Sequence, residues 1–434
     1  MTPAYSLADA HAPAFPGDYQ ILRNAVLNRT SLEANNNKFY VLEVHGAQGQ
    51  FRLFTSYGRV GARGIQEARY TDCAEEAQAE FDRVLREKTS PRKGYVPVEV
   101  ERPTVGSFAA QKTKTGADGQ EQAAPTSTLH PDIARFVEHI YQESKTELAR
   151  RIETPLGSLS RRQIDKGTEA LAAIRFAIAR GHQDLIVPLT SQYYTLIPHK
   201  LGRWTDINEV AIGTVQKADE EEELLQLMRD VFGVQDNLEA DIDRKYRALG
   251  AHLDMVEPGS REYRQAEKHI RRTQSHRHPF QIKVQRIMKV CLPRERERFE
   301  QTGHPIGNVH RLFHGTRTSN MVGILSRGLL IAPKSAPVSG YMFGKGIYFA
   351  DQSTKSAQYS LRSVGGRPGR SYLFLADVAL GRVHKEHAPQ YREDAPDGCD
   401  SVQGCKGTML VHNEFIIYRT PQCTLRYIAE IEQA

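Results

Sequence analysis

The sequence predicts a multidomain α+β protein with a small β-rich part first, an all-α part next and a mixed α+β part last. Three observations carry the prediction. The chain has 434 residues, enough for two to four domains of roughly 100–200 residues each. Its apolar residues recur at period two near the start, at period 3.6 beyond residue 128, and in strand-like runs after about residue 245. Residues 103–128, between the first two regimes, are mainly Thr, Ser, Gly, Gln and Ala with no hydrophobic period, the composition of a linker. The expected divisions are a flexible tail over 1–15, a β-rich domain over 16–102, the linker, a helical domain over 129–238 and a last domain over 239–434.

The elements follow in chain order. Lys38–Val44 and Gln50–Thr55 read as strands around a Gly-containing turn, and the Gly- and Arg-rich run Tyr57–Gly64 follows. Asp72 is placed to start a helix, with Glu75 completing a capping box and Phe81, Val84 and Leu85 continuing at helical spacing. Beyond the linker, Pro131 suits a first helical turn, and Ile133, Phe136, Val137, Ile140 and Tyr141 make one apolar face. Ser160 and Gln163 cap a second helix that carries Leu171, Ile174 and Ile178 and stops at Gly181. A third runs from Glu220 to Phe232, its stripe of Leu224, Leu227, Met228 and Val231 facing a core. The acidic run Asp219–Glu223 reads as a solvated helix start favoured by the dipole. Ser371–Leu380 and His412–Arg419 read as strands, and Thr424–Ile431 alternates as a half-buried strand should.

Composition narrows the function classes. At 39% hydrophobic and 25% charged residues the chain matches soluble globular proteins. It has no run of about 18 apolar residues to span a bilayer, and Met1–Phe15 lacks the basic start and apolar core of a signal peptide. Five scattered cysteines (73, 291, 399, 405 and 423) form neither a disulfide framework nor a zinc spacing, which points to an intracellular chain. Net charge is +6 overall but uneven: zero over 1–102, −4 over 128–238 and +10 over 239–434. That distribution is compatible with a polyanionic partner. No P-loop, Rossmann glycine fingerprint, H-E-x-x-H or G-x-S-x-G is present, so kinase, simple dehydrogenase, zinc-protease and α/β-hydrolase readings lose their support.

Three stretches could carry chemistry. Gly340–Asp351 sets three glycines among four aromatic residues, with Ser356 and Tyr359 just beyond. Close backbone approach beside flat apolar faces suits an aromatic carboxamide or a base; a packed aromatic hairpin is the plainer alternative. His314-Gly315-Thr316-Arg317 follows a short strand, and a glycine directly after a histidine frees backbone groups for a ligand. Glu414 shares one face of a strand with Ile416 and Tyr418. A carboxylate on an apolar face is costly unless paired, so Glu414 is either functional or at an edge that reaches solvent.

Together these stretches resemble the poly(ADP-ribose) polymerase family. Residues 312–329 are similar to the family's His-Gly segment, 340–351 to its nicotinamide-site loop and 413–418 to its terminal glutamate strand. Residues 154–164 and 194–199 resemble its helical regulatory domain, and the surroundings of Tyr57-Gly-Arg-Val-Gly61 resemble a WGR domain. The implied architecture is therefore a WGR-like domain, an all-α regulatory domain and an antiparallel-sheet ADP-ribosyltransferase domain. The resemblance implies NAD+ as substrate, no metal, DNA strand breaks as activator, and acceptor proteins that include the enzyme itself. It implies no membrane partner and a DNA-associated location.

Residue roles are implied one position at a time. His314, Tyr348 and Glu414 match the catalytic triad: His314 would bond the adenine ribose, Tyr348 would flank the nicotinamide, and Glu414 would contact the nicotinamide ribose and polarise the attacking hydroxyl. Gly315 and Ser356 would hold the carboxamide and Tyr359 would stack on the ring. Thr316, Asn320, Tyr341, Lys345, Gly346, Phe349, Ala350 and Lys355 complete the implied NAD+ site. Lys38, Arg52, Tyr57, Gly58, Arg59 and Arg63 are the implied DNA contacts. Two positions depart from the family: Tyr57 stands where tryptophan is usual, and Leu330 where an arginine is. The expected activity is DNA-break-activated poly(ADP-ribosyl) transfer with nicotinamide release; mono-transfer and a catalytically weak DNA-binding scaffold are the alternatives.

Overall fold

The computed structural model describes residues 3–9, 11–101, 127–153, 158–232, 241–331, 342–361 and 370–434. The expected linker falls almost wholly outside them. The chain forms two compact units, one of residues 1–124 and 148–229, the other of 125–147 and 230–434. The division falls inside the helix Pro131–Arg151, so the units cut across the expected helical domain.

The first unit is built on a six-stranded antiparallel sheet. Its strands are β1 (Tyr5–Ser6), β2 (Gln20–Ser31), β3 (Asn36–Ala47), β4 (Gln50–Arg59), β5 (Ile65–Thr71) and β6 (Val96–Val98), in the order β1-β5-β4-β3-β2-β6. A short pair, β7 (Val100–Glu101) with β8 (Ser158–Leu159), lies outside this sheet. Alternation along β3 sends Tyr40, Leu42 and Val44 to one face, where Ala77, Phe81 and Val84 of the helix Ala74–Thr89 cover them. Phe39 and Val41 point the other way, into a core with Ile164, Leu171, Ile174, Tyr193, Tyr194, Leu224 and Leu225. Those residues belong to the helices Arg161–Arg180, Gln183–Leu196 and Val215–Phe232. Two fully buried asparagines dock the helices: Asn28 Nδ2 donates to the carbonyls of Tyr194 (2.9 Å) and Thr195 (3.1 Å), and Asn37 Nδ2 to His199 O (2.8 Å).

Several local expectations hold. Ser160 Oγ accepts from Gln163 N (3.1 Å), and Gly181 ends that helix with φ 72°. Others are corrected. Asp72 does not cap the first helix, which starts at Ala74 with Cys73 as N-cap and no side-chain cap bond. The opening residues are not a loose tail: Tyr5–Ser6 pairs with Ala68 and Glu67, and Tyr70 donates to Pro13 O. The helix Gln183–Leu196, with Pro188 inside it, escaped the apolar-period reading.

Most of the acidic run is not solvated; only Glu223 of it is exposed. Glu221 is 5% exposed and pairs with Arg151 and with His199 Nε2 (2.8 Å), and it accepts from Tyr193 Oη (3.0 Å). Burial pushes its pKa up, but His199, Arg151 and Tyr193 outweigh that and hold it at about 2. Asp219 and Glu222 pair with Arg175, itself 3% exposed. Because its folded pKa is depressed, Glu221 stabilises the unit fully above its ordinary 4.5, and the contribution is lost as pH falls toward about 2. Glu221→Ala leaves Arg151 without its buried partner, and we expect it to cost about 3–5 kcal/mol in denaturant unfolding followed within this unit.

The second unit contains two sheets. The five-stranded sheet is antiparallel, ordered β11 (Val309–Gly315), β13 (Ser371–Ala379), β17 (Cys423–Gln433), β10 (Ile282–Cys291), β9 (His252–Met255). The four-stranded sheet is ordered β12 (Ile347–Phe349), β16 (Glu414–Ile417), β15 (Ser401–Gly404), β14 (Val383–Glu386), with only β14–β15 parallel. Tyr372, Phe374, Ala376 and Val378 of β13 face a core that includes Ile133, Phe136, Val137, Ile140 and Tyr141, the apolar face expected of the helix at Pro131. Leu373 and Leu375 face the other way, against Ala266 and Ile270 of the helix Arg261–Arg272. β17 is therefore not half-buried. It pairs on both sides, and a bulge at Arg426 puts Leu425 and Ile428 on one face and Tyr427, Ala429 and Ile431 on the other, all covered.

Candidate active site

The candidate residues of the second unit meet where the two sheets join. Phe313 of β11 and Ala350, just after β12, exchange backbone hydrogen bonds of 2.9 and 3.0 Å. That bridge sets His314 beside β12, and His314 Nδ1 lies 2.9 Å from Tyr348 O. A carbonyl only accepts, so Nδ1 carries the proton. Burial lowers the His314 pKa below the usual histidine value, against the opposing Tyr348 carbonyl, so the ring is neutral at neutral pH. Its Nε2 is then a bare acceptor, suited to a sugar hydroxyl.

Gly315 is required by contact: a Cβ there would overlap the carbonyl oxygen of Ser356. The helix Ser353–Ser360 packs that tightly because three serines tie it down. Ser353 Oγ donates to Ile270 O (2.8 Å), Ser356 Oγ to Phe313 O (3.0 Å) and Ser360 Oγ to Tyr372 O (2.7 Å). With its proton given to Phe313, the Ser356 hydroxyl offers a bound ligand only an acceptor. Tyr348 Oη donates to Gly344 O (2.7 Å) and accepts from Phe343 N (3.1 Å), which pins the 343–346 turn. Gly346 is needed there because a Cβ would strike Ile416 and the Ile417 carbonyl.

Glu414 is 8% exposed, in β16, with its carboxylate 2.9 Å from Lys355 Nζ. The apolar-face reading is thus right and the solvent-edge alternative is not. Lys355 also lies 3.4 Å from Tyr359 Oη. Burial opposes its charge, but Glu414 more than compensates, and its pKa is raised. Tyr359 itself is 46% exposed, leaving its ring open to stacking. Asn320 Nδ2 donates to Thr316 Oγ1 (3.1 Å) at the end of β11. Lys345 is buried. Phe349 and Ala350 are buried and Ala350 has spent both backbone groups on Phe313, so they wall the site. Tyr341 lies outside the described residues. Among those residues, no group of three or more His, Cys, Asp or Glu is arranged to hold a metal ion.

Three neighbours went unremarked in the sequence. The rings of His278 and His412 stack 4.5 Å apart at 5°. His412 Nε2 lies 2.7 Å from Ser275 Oγ, and His278 Nδ1 3.0 Å from Thr354 Oγ1. They clamp the start of the Lys355 helix to the residue two before Glu414. No spacing rule links positions 275, 278 and 412; only adjacency of His412 to Asn413-Glu414 could have hinted at it.

The nucleic-acid candidates in the first unit divide. Lys38 and Arg63 are exposed. Arg52 is 8% exposed, stacked over Phe15 (4.0 Å) and donating to His45 (3.1 Å), so it is withdrawn from phosphate contact. Arg59 is committed internally, to Gly202 O (2.6 Å), to Asn35 and over the Trp204 ring (4.9 Å). Tyr57 stacks on Tyr40 (5.2 Å) and donates to Glu67 (3.0 Å) instead of presenting a free face. Gly58 sits in β4 opposite Phe39.

A fold of this order, with His314 bonded to Tyr348 at the join of the two sheets and Glu414 paired to the helix that packs on Gly315, is that of an ADP-ribosyltransferase. Comparison with known proteins agrees. Residues 260–433 match the poly(ADP-ribose) polymerase catalytic domain, 127–255 its regulatory domain and 23–102 the WGR domain. Relatives include poly [ADP-ribose] polymerase 2-A of Oryza sativa subsp. japonica, 31% identical over 94% of this chain and 69% of the relative. Poly [ADP-ribose] polymerase 2 of Zea mays is 30% identical over 98% and 74%. Protein mono-ADP-ribosyltransferase PARP3 of Homo sapiens is 30% identical over 94% and 87%. The chain belongs to the poly(ADP-ribose) polymerase family and is an NAD+ ADP-ribosyltransferase. No helix among the described residues is long and apolar enough to cross a membrane.

Two outcomes are expected. Gly315→Ala displaces the Ser356 helix, and NAD+ affinity by calorimetry should fall more than tenfold. The second concerns pH. Burial, first among the causes, lowers the pKa of His278, His412 and His314 below 6.5. The folded state then binds fewer protons than the unfolded one, so stability is complete above about 6.5 and falls with pH below it. Melting temperature should drop between pH 7 and 5, and the double variant His278→Asn/His412→Asn should show a shallower drop.

Proposed function

We propose that this enzyme builds poly(ADP-ribose) on itself and on other proteins when its first unit meets a DNA break. The observation that carries the reading is the Glu414 carboxylate, buried and paired with Lys355 Nζ at 2.9 Å. In the transfer, the bond from the ribose C1′ to the nicotinamide nitrogen breaks and nicotinamide leaves as a neutral amide. A bond forms from C1′ to an acceptor hydroxyl oxygen. Positive charge develops on the ribose as the first bond lengthens, and a nearby carboxylate stabilises it. The same carboxylate can take the acceptor's proton. We assign that role to Glu414, ribose contact to His314, carboxamide contact to Gly315 and Ser356, and ring stacking to Tyr359 with Tyr348 alongside. A carboxylate that both orients a sugar hydroxyl and accepts its proton favours repeated addition to ribose, hence polymer.

On DNA, exposure supports Lys38 and Arg63 as phosphate contacts, a smaller set than the sequence suggested. The second reading is single-unit transfer, favoured by the human relative whose name describes mono-ADP-ribosyl transfer. Labelled NAD+ with and without nicked DNA, followed on a denaturing gel, separates the two. A DNA-dependent smear above the protein's own mass is expected, and Glu414→Gln should abolish it, cutting turnover by at least 10²-fold. A sharp band in place of a smear establishes single-unit transfer. Lys38→Glu/Arg63→Glu should reduce only the DNA-stimulated part.

A further inference from the structure

The helix Arg261–Arg272 buries Ala266 and Ile270 and leaves an exposed face of one charge. Arg261, Arg264, Lys268, Arg271 and Arg272 are all exposed. At 3.6 residues per turn they fall within an arc of about 100°, strung over roughly 16 Å of helix. The only other exposed residue of the helix is Gln265; Glu262 and Glu267 lie to either side of the stripe and are only partly exposed. None of the five cations makes an ion pair among the described residues. A surface helix ordinarily alternates charges along its exposed face, and self-repulsion along this one has a cost that a bound polyanion removes.

The stripe is also tied to the active site. Immediately after the helix, Thr273 O accepts from Ser353 N (3.0 Å) and Ser275 N donates to Thr354 Oγ1 (2.9 Å). Ser353 and Thr354 open the helix that carries Lys355, and Arg277, exposed, follows in the same connection. The cations therefore start beside the Lys355–Glu414 pair and run away from it.

We propose that this stripe, Arg261, Arg264, Lys268, Arg271 and Arg272 with Arg277, holds the growing ADP-ribose chain behind its acceptor end. Each added unit brings a pyrophosphate, so the product is a polyanion whose total charge grows with every turnover, and the stripe begins at the end that is tied to the Lys355 helix. The proposal rests on the polymer-forming reading. Retention by the stripe keeps the chain end near Glu414 and favours elongation over release.

The test uses the full chain carrying Lys268→Glu/Arg271→Glu/Arg272→Glu, with Lys268→Gln/Arg271→Gln/Arg272→Gln as a second variant less apt to disturb folding. Binding of purified, protein-free poly(ADP-ribose) is measured by filter retention across a salt series, and product length by gel with labelled NAD+. We expect at least tenfold weaker polymer binding, a salt slope reduced by about two, and shorter products, with nicotinamide release on the first addition unchanged. Polymer binding and salt slope equal to wild type would overturn the proposal. So would loss of duplex DNA binding with polymer binding intact, which would make the stripe a DNA surface. Wild-type protein that yields only single-unit product defeats the polymer reading instead, and the binding series on free polymer reports on the stripe independently.

Discussion

A buried carboxylate is costly unless it is paired or hydrogen-bonded, and the catalytic unit is organised around that constraint. Glu414 sits in the four-stranded sheet, whereas Lys355 sits on a helix fastened to the five-stranded one. The two meet because Phe313 and Ala350 join the sheets and three serine hydroxyls hold the helix, Ser356 to β11, Ser360 to β13 and Ser353 to the helix Arg261–Arg272. Loosening any of these fastenings would separate acid from base and leave a buried charge unpaired, which is far more costly than losing one ordinary hydrogen bond. Gly315 is a consequence of the same closeness, since the helix backbone comes so near β11 that no side chain fits.

The first unit solves a related problem with different residues. Glu221 joins three elements through Arg151, His199 and Tyr193, and Arg175 gathers Asp219 and Glu222. Arg59 links the end of β4 to the Gly202–Trp204 segment. Charges that a linear reading assigns to solvent or to a nucleic acid are here internal fastenings. The cations left free for a polyanion are consequently fewer among the described residues of the first unit than its sequence suggests, and five exposed ones line up on the catalytic unit, in the helix Arg261–Arg272.

Much of the fold was legible from local pattern. The Ser160 cap, the Gly181 stop and the apolar face of Ile133 to Tyr141 each follow from backbone chemistry within one or two turns, and the structure contains them. The site was legible wherever residue type and immediate neighbours carried the signal. Gly315 after His314 and the glycines of 344–346 are places of close backbone approach, and Glu414, on one strand face with Ile416, is buried. Readings failed where a residue's environment comes from far along the chain. Thr424–Ile431 looks half-exposed because alternation says nothing of a second sheet face covered from residues 261–272. The capping box at Asp72 fits its spacing, yet the helix begins two residues later, at Ala74.

The sequence by itself determined the chemistry available: a carboxylate on an apolar strand, glycines at points of close approach, a histidine before a flexible backbone position, and a strongly basic last segment. Those are properties of residue type and spacing, which short-range sterics translate directly into local structure. Only the tertiary structure decided which charges are paired. Glu414 with Lys355, Glu221 with Arg151 and His199, and His278 against His412 are separated by 59, 70, 22 and 134 positions. Pairing over such distances depends on how sheets and helices pack, and that packing alone set which cations remain free.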